Sequence, residues 1–137
     1  MTSVDQLQPG LSAELKERVR QDQTAPHLGS GDVAVFATPA MVTMVERACA
    51  ELAQRYLKPE QSTVGVKLEV HHLAPTPVGH AISVAVEVLE VEGNRLRFSA
   101  RIRDETELVG RVEHTRAVID RDRFMRRVQA KKTSKPG

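Results

Sequence analysis

No tryptophan, one tyrosine and three phenylalanines among 137 residues leave no aromatic platform on which nucleic-acid bases could stack. A single cysteine, Cys49, excludes an intrachain disulfide. No apolar run approaches the ~20 residues of a membrane-spanning helix, and the first residues lack the basic and apolar regions of a secretory signal. The chain is therefore expected to be soluble and cytoplasmic, with neither membrane nor nucleic acid as a partner. What is present is globular: 40% hydrophobic residues, supplied by Val, Leu, Ala and Met, beside 28% charged residues. That length suits a single domain over residues 1–137, with 1–8 and 129–137 expected to fray. The net charge of +2 is uneven, because Arg121, Arg123, Arg126, Arg127, Lys131, Lys132 and Lys135 face only Asp122 in the last 17 residues. Such a run reads first as a solvated tail and second as a site for phosphates.

Alternation of Leu11, Ala13 and Leu15 with Ser12, Glu14 and Lys16 predicts a strand entered through Pro9-Gly10. Residues 21–32, polar and broken by Pro26, Gly29 and Gly31, predict a surface loop of the length often used as a lid. Thr38-Pro39 opens a helix, with Thr38 placed to cap it and Pro39 tolerated in the first turn. At about 100° per residue, Met41, Val45, Cys49, Leu52 and Tyr56 fall within about 80° and form the apolar stripe. Four strands follow at 63–73, 81–91, 95–103 and 108–119, the last three joined by short polar turns at 92–94 and 104–106 that favour antiparallel neighbours. A short basic helix after Asp120 completes an α+β domain of five strands and one long helix.

Two residues sit where the pattern does not want them. Glu46 points about 100° away from the charged side of the helix, built by Arg47, Glu51, Gln54 and Arg55, toward the margin of the apolar face. A carboxylate there is either a rim residue reaching solvent and an arginine, or a general base held in place for chemistry. His72 shares strand phase with Val64, Val66, Leu68 and Val70, so it points where the hydrophobes point, as a core imidazole or a proton carrier. Gly65 inside a strand implies a bulge or a close ligand approach. Cys49 lies on the apolar stripe and reads as a small hydrophobe. His71, His72 and His80 lack the spacing of metal ligands, and no metal is expected.

Phe36-Ala37-Thr38, Met41-Val42, Glu46 with Ala48-Cys49, Gly65, the segment VHHLAPTPVG (70–79) and Arg116-Ala117-Val118-Ile119 together resemble the hot-dog-fold thioesterases, most closely the fluoroacetyl-CoA thioesterase group. The likeness runs from about Val33 to Val128. It implies a five-stranded antiparallel sheet wrapped around one long central helix, and a homodimer or dimer of dimers with each active site between two protomers. It also implies catalytic roles for Thr38, Glu46 and His72 and substrate contacts from Gly65 and Arg116. The substrate would be a small acyl-CoA, with coenzyme A entering as part of it and no separate cofactor. One departure stands out: where the family's lid carries aromatic residues, this chain has Gly29-Ser30-Gly31-Asp32, so selectivity for a fluorinated acyl group does not carry over. Glu46 could serve as base toward water or as a nucleophile forming an anhydride, with His72 moving protons and Thr38 positioning the attacking group. The expected arrangement turns Glu46 inward toward His72. The rival reading is an acyl-CoA binding or sensing module without turnover.

Overall fold

The structure, a computed structural model, describes residues 6–133. Five strands, β1 (Ser12–Arg18), β2 (Gln61–His72), β3 (Ala81–Glu92), β4 (Arg95–Arg103) and β5 (Leu108–Asp120), form one antiparallel sheet in the order β1-β3-β4-β5-β2. Three helices accompany them: α1 (Ala25–Leu28), α2 (Thr38–Gln54) and α3 (Arg121–Thr133). The strands read from sequence alternation agree with these bounds to within two residues, because each buries one face over most of its length.

The core forms where α2 crosses the sheet. Met41, Val45, Cys49 and Leu52 of the helix stripe are buried against Val84, Val86, Val88, Leu96, Phe98 and Ile102, with Ala40, Met44, Ala48 and Ala53 widening the stripe. Tyr56 packs on this core from beyond the last helical residue, Gln54, so the helix is shorter than its apolar pattern. Gly110 lets the helix approach β5 closely, since a Cβ there would lie 2.6 Å from Met41 Sδ.

Three expectations need correction. Residues 21–32 are not all loop: a 3-10 turn at Gln21–Gln23 precedes α1, which Gly29 closes in the left-handed conformation (φ 72°). Backbone bonds Ala25 N→Val35 O and Ala37 N→Gln23 O pin this segment to the entrance of α2. Thr38 does not cap α2. Ala37 occupies the cap position without a side-chain bond, and Thr38 is the first helical residue. Finally, β2 changes phase: its register with β5 shifts between Gly65 and Lys67, leaving Val66 as the extra, unpaired residue of a bulge. Thr63 and Gly65 thereby face the helix with Leu68, Val70 and His72, whereas Val66, expected among them, is 48% exposed.

Of the termini expected to fray, residues 1–5 and 134–137 lie outside the described residues. Leu7 is buried in the core, and Gln129 to Thr133 continue α3. That helix buries no residue and leaves Phe124 and Met125 exposed. No helix of the described residues is long and apolar enough to cross a membrane.

Candidate active site

The start of α2 meets the end of β2. Thr38 Oγ1 lies 2.7 Å from His72 Nδ1, a short hydrogen bond between a hydroxyl on the first helical turn and an imidazole in inward strand phase. Phe36, fully buried, anchors this entrance, and its N–H donates to the Thr76 carbonyl on the connection that follows His72. Burial lowers the His72 pKa below 6.5, opposed by the Ala74 backbone, so the ring is neutral at neutral pH and one nitrogen is free to accept a proton. Its Nε2 is buried and has no hydrogen-bond partner among the described residues.

Glu46, two turns further along α2, meets a different part of β2. Its carboxylate lies 3.5 Å from Arg116 Nη1 on β5, with the Glu46 side chain 42% exposed and that of Arg116 8% exposed. The guanidinium is held on its other sides: Nε donates to Thr63 Oγ1 (2.8 Å), Nη2 to the Thr63 carbonyl (3.0 Å) and Nη1 to His114 Nε2 (3.0 Å). Gly65 clears the space above, because a Cβ there would sit 2.7 Å from Glu46 Oε2, 3.2 Å from the His114 ring and 3.5 Å from Arg116. Glu46, Gly65, Val66, Lys67, Leu68 and His114 line a surface groove beside the β2 edge.

The residues singled out from sequence thus fall into two groups. Thr38 and His72 form one; Glu46, Gly65 and Arg116 form the other. Thr38 and Glu46 are eight residues apart on α2, about 12 Å of helix rise, and Gly65 and His72 are seven apart on β2, about 20 Å of strand. Within one protomer the inward turn of Glu46 toward His72 is therefore not what is found; the carboxylate sits at the rim with an arginine. Sequence reasoning missed Thr63 and His114. Thr63 was hidden by the bulge, and His114 carried the same signal as His72, a histidine in apolar strand phase with Val112.

Cys49 is fully buried, and burial, offset partly by Arg116 and reinforced by Glu46, pushes its thiol up to about 12, so it is no nucleophile. Among the described residues no group of three or more His, Cys, Asp or Glu side chains is arranged to hold a metal ion. His71 faces away from His72, near Glu69 (3.9 Å).

A curled antiparallel sheet on one long helix, with a hydroxyl–imidazole pair where helix and sheet edge converge, places the chain in a recognisable structural class. A hot-dog-like protein from Thermanaerovibrio acidaminovorans superposes with a TM-score of 0.86 at 25% identity, over 93% of this chain and 94% of that one. A solved structure of a fluoroacetyl-CoA thioesterase also gives 0.86, at 30% identity over 94% and 98% of the two chains. The class is the hot-dog-fold thioesterases. Residues 19–122 match the family described as fluoroacetyl-CoA-specific thioesterase. The fluoroacetyl-CoA thioesterase of Streptantibioticus cattleyicolor is 37% identical over 97 residues, 71% of this chain and 70% of that protein. The chain belongs to this family and is an acyl-CoA thioester hydrolase.

Proposed function

We propose that the protein hydrolyses small acyl-CoA thioesters at a site assembled from two copies, Thr38 and His72 coming from one and Glu46, Gly65 and Arg116 from the other. The carrying observation is the short Thr38–His72 bond beside an imidazole nitrogen buried without a partner. An unmet buried polar group is destabilising by about 1–3 kcal/mol, and it lies at the end of an edge strand whose outer side is unpaired. The other edge, β1, is seven residues long and carries Glu14, Lys16, Glu17 and Arg18, which discourage pairing. β2 is twelve residues long with Val66 exposed. Two antiparallel β2 strands crossing midway between Gly65 and His72 bring Glu46 of each copy beside His72 of the other.

In this arrangement Glu46 takes a proton from water as its oxygen bonds to the thioester carbonyl carbon. Main-chain N–H groups at the start of α2, which lack partners inside the helix, face the oxygen that becomes negative. Collapse of the tetrahedral species breaks the C–S bond; the proton that Glu46 took from water passes to the neutral His72 of the Thr38–His72 pair and on to the departing thiolate, so both groups return to their starting states and the products are a carboxylic acid and free coenzyme A. Arg116 and Gly65 bound the acyl end. With glycine, serine and aspartate at residues 29–32 in place of an aromatic lid, small acyl groups without fluorine are substrates.

Incubation with acetyl-CoA and a thiol-trapping dye tests this. Thiol release that falls about 10²–10⁴-fold in Glu46→Gln, with unchanged circular dichroism, is expected. Tight acetyl-CoA binding with no release from the unaltered protein would make it a binding module instead.

A further inference from the structure

His114 plays no part in the chemistry just described, yet it is the most deeply buried imidazole of the described residues, 1% exposed. Its hydrogen bonds fix its state. Nδ1 lies 2.9 Å from the Lys67 carbonyl, which only accepts, so Nδ1 carries the proton. Nε2 lies 3.0 Å from Arg116 Nη1, which only donates, so Nε2 presents its lone pair. The Lys67 carbonyl is available because β2 bulges just before it. Phe98 on β4 lies beside the ring at a centroid distance of 6.4 Å. The charged groups that face it are Arg116, on its own strand, and Glu46, on α2.

The geometry points to His114 as a positioning residue for the proposed Glu46 base: by occupying Arg116 Nη1, it keeps the guanidinium from closing on Glu46 as a two-bond fork. An unconstrained arginine beside a carboxylate favours that fork. Here Thr63 takes Nε and Nη2, His114 takes Nη1, and Glu46 receives one long contact of 3.5 Å. The carboxylate is steadied by a positive charge while staying free to receive a proton. Protonated His114 could not do this, since its second N–H would oppose the guanidinium; burial and Arg116 both lower its pKa and keep it neutral. The inference rests on Glu46 being the base, and the test separates the two.

Turnover of acetyl-CoA is measured for His114→Leu, His114→Gln, His114→Asn, Glu46→Gln and the double variant His114→Leu/Glu46→Gln. His114→Leu should lower kcat about tenfold or more while KM stays within about twofold, the mark of an interaction used in the transition state. His114→Gln, whose carbonyl reaches the Nε2 position, should recover most of kcat. His114→Asn, which reaches only the Nδ1 position, should not. The double variant should be no slower than Glu46→Gln alone, because a residue acting through Glu46 has nothing left to position. Losses that multiply in the double variant, or Asn outperforming Gln, would overturn the inference even if His114→Leu failed to fold. Full activity in Glu46→Gln would instead remove the reading on which it rests.

Discussion

The two groups of residues proposed to form the site are built on opposite principles. Thr38 and His72 are uncharged partners joined by one short bond at the exposed start of a helix, where a residue's position follows from helix entry and strand end. Glu46 belongs to a charged group whose arginine is held by Thr63, His114 and the carboxylate together, on a strand bulge and against a glycine that leaves just enough room. The first half has few constraints; in the second, four of the five N–H donors of Arg116 are engaged. A proton carrier benefits from a free nitrogen and a simple hydroxyl partner, whereas a base near the surface needs a fixed counter-charge that does not seize it. The contrast shows how one helix, 17 residues long, can carry two chemically different groups, one at its start and one at its middle, as the proposed reaction requires.

Changing one residue in each half sharpens the difference. Thr38→Ala takes away the side-chain hydrogen bond of the His72 ring and should lower kcat by about 10²-fold. Thr38→Ser, which keeps the hydroxyl, should retain most activity; equal losses in the two variants would show that the methyl group, and packing, matters more than the bond. Gly65→Ala acts on the other half by steric pressure. Its Cβ displaces Glu46 Oε2 from 2.7 Å, and a shift approaching 1 Å is worth up to about 10²-fold in rate. Gly65 does not adopt a positive φ, so the melting temperature should barely change. A large fall in stability with activity intact would contradict the close-approach role.

The smallest expected effect concerns pH. Burial lowers the pKa of His72 and His114 below 6.5, so the unfolded chain takes up protons first as pH falls. Stability associated with these rings is complete above pH 6.5 and is lost as pH drops toward their folded values. Melting temperature should decline below that pH. Since His114 is the more deeply enclosed, His114→Gln should flatten the decline more than His72→Gln does; the reverse order would place the main acid sensitivity in the other half.

How far each half could be read from sequence follows from the range of the interactions involved. Strand alternation located β3, β4 and β5, and the apolar stripe of α2 was visible because Met41, Val45, Cys49 and Leu52 recur with the helix period. The bulge at Val66 is not legible in the sequence: one inserted residue reverses the facing of everything before it, so strict alternation counted back from His72 puts Val66 inward and Thr63 outward, the opposite of what is found. Thr38 read as a cap because threonine before proline commonly is one, yet its hydroxyl is used across a sequence separation of 34 residues. His114 and Arg116 hold each other only two residues apart, but their importance comes from Thr63, Lys67 and Glu46, which no local pattern links to them.

The division of the site between two copies is tested most directly by mixing Glu46→Gln and His72→Ala chains, each inactive alone, under conditions that exchange subunits. A shared site predicts that each mixed dimer regains one intact site, so that a random mixture recovers about a quarter of the unaltered activity toward acetyl-CoA, in keeping with the twofold symmetry usual for such assemblies. Complete exchange, verified by mass, with no recovered thiol release would contradict the account.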